Sequence, residues 1–205
     1  MTPTPRLTAS LGARRTADPG LIGLLGFVIA TAAAQLAHLG VQDTAAVFWI
    51  GAVFGGIVQV TAGMLSYFKG DDFHFAVYNA FGFYWIVVPG FMLGEALRIF
   101  EVSEAERGIF ALAFAIIALA FAPAGAVHNT VLPITLLCVS AGLALQAVGA
   151  FTGAHGVSVT GAWVLLLAAT LAAYMLVEKF YWLTLGRRVV PLGPPWLAGN
   201  PDPES

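Results

Sequence analysis

The chain has 205 residues, of which 59% are hydrophobic and 10% charged, with a formal net charge of -2. Soluble domains carry about half apolar and a quarter charged residues, and so few ionisable groups cannot coat the exterior of a soluble protein of this size. A near-neutral chain without a basic run interleaved with aromatics also gives nucleic acid no docking surface.

Residues 1–17 are polar, Pro-containing and basic, and read as a disordered head at a bilayer surface. The run from Gly20 to Gly40 comes directly after Arg14 and Arg15. At about 20 residues it exceeds the 7–15 residues of a signal-peptide core, so it predicts a spanning helix. Five further runs of spanning length occur at about 45–68, 73–93, 107–127, 130–151 and 158–181. The expected fold is therefore an all-α integral membrane bundle of six transmembrane helices, occupying 18–193, with a disordered tail over 194–205. The connections are too short to hold a soluble domain.

An even number of spans puts both termini on one side of the membrane. That side receives Arg6, Arg14, Arg15, Lys69, Lys179, Arg187 and Arg188, and the other Arg98 and Arg107. The excess of positive charge predicts cytoplasmic termini.

Small residues at helical spacing, such as Gly51 with Gly55, Ala52 with Gly56 and Gly149 with Gly153, predict close helix packing within the chain or between subunits. Pro89, Pro123 and Pro133 are expected to kink helices. Cys138 is the single cysteine, which excludes an intrachain disulfide.

No set of nucleophile, base and metal ligands converges, so an enzyme is not expected, and neither a metal nor a cofactor is implied. The four histidines, His38, His74, His128 and His155, fall near predicted helix ends without the i, i+4 spacing of a helical metal site. They read as interfacial groups, or as a proton relay. Lys69, Glu178 and Lys179 read as anchors reaching the headgroups. No Lys lies at mid-membrane to carry a retinal Schiff base.

The polar groups expected in the apolar interior are neutral: Thr31, Gln35, Gln59, Thr61, Asn79, Thr135, Ser140, Gln146 and Thr170. Ser and Thr can bond back to their own helix. Gln59 and Asn79 carry more information, because an unpaired amide in hydrocarbon costs several kcal/mol. They are either interhelical glue or the lining of a wet cavity for a small solute.

Four ordered stretches carry a family resemblance: "DPGLIGL" at Asp18–Leu24, "FGGIVQVTAGMLSYFKG" at Phe54–Gly70, "FGFYW" at Phe81–Trp85 and "GRRVVPLG" at Gly186–Gly193. Together the chain resembles the acetate uptake transporter family (GPR1/FUN34/YaaH, or succinate-acetate permease). The chain departs from the family pattern at Asp18, where the first motif has Asn, at Leu21, where it has a second Pro, and at Ser66, where an acidic residue is expected.

The resemblance implies transport of acetate or a related small monocarboxylate across the plasma membrane. It further implies a pore in each protomer of a homo-hexamer, and because an apolar neck favours the neutral acid over the bare carboxylate, protons are the expected coupled partner. Asp18, Pro19, Gly23, Gln59 and Asn79 would form the substrate entrance and path, and Phe27, Phe81, Val139, Ala172 and Tyr174 the hydrophobic constriction. Val139 stands where the family has Leu, which predicts a wider neck. A membrane sensor that kept the scaffold without flux, and ammonia or ammonium transport, are the alternatives.

Overall fold

The computed structural model describes residues 16–199. It contains six helices long and apolar enough to cross a membrane: α1 (Gly20–His38), α2 (Thr44–Tyr67), α3 (Asp72–Ala96), α4 (Glu104–Gly125), α5 (Val131–Thr152) and α6 (His155–Leu185). Backbone groups in hydrocarbon must be satisfied within the protein, and a helix does this alone, through bonds within its own segment. No β-strand occurs among the described residues.

Local chemistry sets the boundaries. Ser103 and Glu106 form a capping box that starts α4 three residues before the expected position. Asp71 accepts the His74 N–H and starts α3. Gly153 and Gly186, at φ 68° and 67°, end α5 and α6 in the left-handed conformation that favours glycine. Pro89 and Pro123 lie inside α3 and α4, which continue through them.

The middle of α2, Gly51–Val58, is π-helical. Gln59, the residue that follows it, is 1% exposed in the bundle interior. The glycines of this stretch also admit the neighbours. A Cβ on Gly55 would collide with the Trp85 ring of α3, and one on Gly26 with the Phe54 carbonyl. The small-residue spacing in α2 is thus explained by packing within the chain.

Around the bundle, α1, α2 and α3 pack together, as do α4, α5 and α6, and α1 lies along α6. Backbone contact between α3 and α4 is sparse. Aromatic side chains close that seam: Tyr84 stacks on Phe110 at 5.1 Å and meets Phe114 at 5.0 Å.

The expected disordered tail over 194–205 needs correction for its first part, while 200–205 lie outside the described residues. Thr130 and Val131 donate their N–H groups to the Leu192 carbonyl, the Trp196 N–H bonds the Ala126 carbonyl at 2.8 Å, and the Trp196 indole bonds Thr130 Oγ1 at 3.1 Å. The segment after α6 is therefore seated on the α4–α5 loop. Of the expected disordered head, residues 1–15 lie outside the described residues.

Candidate functional site: two cavities and an apolar neck

Two cavities enter the bundle from opposite ends. The near end is the one where α1 begins and α6 ends. The near cavity, about 280 Å³, is lined by Leu24 and Phe27 of α1, Gln59 of α2, His74, Tyr78 and Phe81 of α3, Thr135 and Val139 of α5, and Ala172, Glu178 and Lys179 of α6. His128, Arg188 and Leu192 complete its mouth. The far cavity, about 480 Å³, is lined by Gln35 and His38 of α1, Tyr84 and Trp85 of α3, Arg107 and Phe110 of α4, Gln146 of α5, and His155 and Ser158 of α6.

Between them lies a gap of about 20 Å³ walled by Phe27, Thr31, Gln35, Phe81, Tyr84, Trp85, Val139, Leu143 and Leu165. That is room for about one water. Phe27, Phe81 and Val139 are shared with the near cavity, and Gln35, Tyr84 and Trp85 with the far one, so the three spaces lie in series. The Phe27 and Phe81 rings meet edge to face at 6.2 Å. The neck is apolar on its near side. On its far side the Gln146 amide donates to Gln35 Oε1 at 2.7 Å, tying α5 to α1.

The residues expected to act together fall into two groups. Phe27, Phe81 and Val139 meet at the neck, and Ala172 lies on the near cavity wall. Tyr174 is separate, since its hydroxyl donates to the Pro191 carbonyl at 2.7 Å and so fastens the segment after α6. Gln59 lines the near cavity, whereas the Asn79 amide donates to its own helix at Phe75 and packs on Gly63 of α2. Of these two amides, one faces a cavity and the other a packed helix interface.

Asp18 is neutralised within the chain. Its Oδ1 accepts the Gly20 N–H at 2.8 Å and its Oδ2 the Lys179 ammonium at 3.1 Å. Burial acts to raise the Asp18 carboxyl, but Lys179 and the Gly20 N–H outweigh it and hold the group below its ordinary value. Asp18 therefore stays ionised and occupied by its partners, leaving no free anion at the entrance. Pro19 is the residue leading into α1. Gly23 makes space for the Tyr78 ring, whose hydroxyl donates to the Gly20 carbonyl at 3.4 Å.

Two readings of helix-end residues are corrected. Glu178 is only 4% exposed, and Lys179 is committed to Asp18, so neither reaches headgroups. Both line the near cavity because α6 runs 31 residues, and they fall inside it rather than at its end. The histidines face cavities too, His74 and His128 the near one and His38 and His155 the far one. Sequence spacing marks distance along a helix but not which face turns inward.

His74 Nδ1–H donates to Asp71 Oδ2 at 2.7 Å and its ring lies 5.6 Å from that of His128. Burial, then the neighbouring His74, pushes the His128 imidazole down from its ordinary value. Burial opposes ionisation of Asp71, yet its hydrogen bonds from His74 bring the carboxyl down to about 2. A depressed carboxyl contributes stability above its unfolded value of 3.8 and loses that contribution as pH falls through the folded one. Asp71→Asn, which keeps the cap, should flatten the fall in thermal stability between about pH 4 and 2. The change is about 1 kcal/mol at most, because the side chain is 42% exposed and screened. Melting curves of both proteins in detergent across that range check it.

A bundle with two cavities in series across an apolar neck defines a membrane protein of the transporter or channel class, built to pass a small solute. The sequence profile of the GPR1/FUN34/yaaH family matches residues 1–184, and the chain belongs to that family. It is 25% identical over 186 residues to the "Succinate-acetate/proton symporter SatP" of Escherichia coli (strain K12), covering 89% of this chain and 98% of that protein. It is also 28% identical over 107 residues to "Acetate permease A" of Emericella nidulans, covering 51% of this chain and 36% of that one. Among solved structures, the bacterial acetate channel SatP superposes with a TM-score of 0.85 at 24% identity, covering 87% of this chain and all of that one, which supports the shared fold.

Proposed function

We propose that this protein carries acetate, or a related small monocarboxylate, across the plasma membrane through the path in each protomer, together with a proton. The observation that carries this reading is the apolar gap between Phe27, Phe81 and Val139, which joins two polar-rimmed cavities. Taking a bare carboxylate into such a neck costs far more than taking the neutral acid, so a proton travelling with the anion lowers the barrier. Relatives whose names specify acetate and proton symport support the choice of solute. The near end carries Lys69, Lys179, Arg187 and Arg188 against Arg98 and Arg107 at the far end, which favours a cytoplasmic near end. Assembly as a homo-hexamer accords with the family resemblance, and the apolar residues exposed on the outer faces, Trp49 and Trp163 among them, suit lipid or a neighbouring protomer.

The test is uptake of labelled acetate into proteoliposomes, with protein-free liposomes subtracting passive leak of the neutral acid. Uptake driven by an acid-outside gradient and abolished by an uncoupler is expected. Flux indifferent to the gradient would leave an uncoupled anion channel. No flux above leak, with acetate still bound, would leave a sensor.

A further inference from the structure

Among the described residues, two buried side-chain polar atoms have no hydrogen-bond partner, Gln59 Nε2 and Glu178 Oε1, and both side chains line the near cavity. Gln59 is 1% exposed and Glu178 4%. A buried polar group without a partner costs about 1–3 kcal/mol, and more when charged. Each therefore marks a place along the cavity that a ligand completes. One is a donor and the other an acceptor. A carboxylate offers only acceptors, so it suits Gln59 and is repelled by an ionised Glu178. One shared proton removes the conflict. With the proton on either carboxyl, a single O–H···O hydrogen bond joins the acid to Glu178, while Gln59 Nε2, beside Gly26 toward the neck, offers the next donor along the path.

We propose that Glu178 is the proton-binding group of the near cavity, and that one proton is held between it and the carboxyl group of the carried acid. The proposal deepens the transport reading and rests on it for the identity of the ligand. The proton comes from solution. The only covalent change is the O–H bond, formed on one carboxyl and passed to the other, and a monocarboxylate leaves with one proton and no net charge.

The surrounding charges leave Glu178 free for this role. Arg188 Nε pairs with its Oε1 at 3.7 Å, an ion pair too long for a hydrogen bond and weakened by water, since the Arg188 side chain is 65% exposed on the segment after α6. Lys179, next along α6, is held by Asp18, on which Lys69 also acts. From α3 the cavity receives His74, bonded to Asp71, and the buried Tyr78, and from the α4–α5 loop it receives His128. On α1, α2 and α5 the lining is uncharged. Glu178 is the one carboxylate lining the near cavity among the described residues.

The experiment measures proton uptake by the detergent-solubilised protein when potassium acetate is added near pH 7, read with a pH indicator against the same addition without protein. Trp182, which lines the cavity, reports binding by fluorescence. The wild-type chain is expected to take up about one proton per acetate bound. Glu178→Gln should still bind acetate, with proton uptake lowered at least about tenfold, because the amide binds no proton at this pH. Equal uptake by both proteins, or none by the wild type, overturns the proposal. Should Glu178→Gln fail to bind, Glu178→Asp decides: uptake that returns with the shorter carboxyl supports the shared proton, and binding without uptake overturns it. Because no flux is needed, an inert proteoliposome would sink the transport reading while leaving this outcome readable.

Discussion

Replacing Val139 with Phe is expected to lower acetate flux by about 5–150-fold, which corresponds to 1–3 kcal/mol of added barrier. Val139 is 3% exposed and stands on α5 opposite Phe27 and Phe81, with Leu143 and Leu165 beside it. The gap they leave, about 20 Å³, accepts no further ring without displacing one already there. Val139 lines only the neck side of the near cavity, and the Glu178 and Lys179 end, some helical turns away, is unchanged, so acetate binding reported by Trp182 should persist while flux falls. Val139→Leu should give a smaller loss, felt more by lactate than by acetate, because a longer side chain narrows the same neck. Flux of both acids at the wild-type rate in Val139→Phe proteoliposomes would place the path elsewhere.

Gly161→Leu is expected to cost about 1–3 kcal/mol of stability, a fall of roughly 2–12 °C in melting temperature for a chain of this size. A Cβ on Gly161 would lie 2.7 Å from the Gly142 carbonyl oxygen, and one on Gly142 would lie 3.0 Å from the Gly161 carbonyl. At this crossing the backbones of α5 and α6 themselves touch, and backbone cannot rotate aside as a side chain does. Leu165 is one turn along α6, so parting the helices also opens the neck. Thermal melts in detergent with size-exclusion recovery measure the first effect, and a melting temperature within a degree of the wild type would contradict the close crossing.

The spans were readable from the chain alone because hydrocarbon thickness sets a minimum apolar length, and each of the six runs meets it. Boundaries were less so. The capping box at Ser103 and Glu106 lies in polar sequence outside the apolar run, and α6 starts at His155 and ends at Leu185, beyond the expected 158–181 at both ends. The motif around Gln59 pointed to a functional stretch, but the reason is tertiary. The glycines of the π-helical turns let α1 and α3 approach closely beside Gln59. Nothing in the spacing distinguishes it from Asn79, which faces a packed interface instead.

The amino-acid sequence by itself determined the solvent and the number of crossings, since these depend on composition and on the length of apolar runs. Only the tertiary structure decided which polar groups share a space. Asp18 meets Lys179 across 161 residues, Gln35 meets Gln146 across 111, and Glu178 turns to the same cavity as Gln59. Such pairings depend on helix rotation and crossing, which arise from side-chain packing between distant segments and leave no periodic trace along the chain.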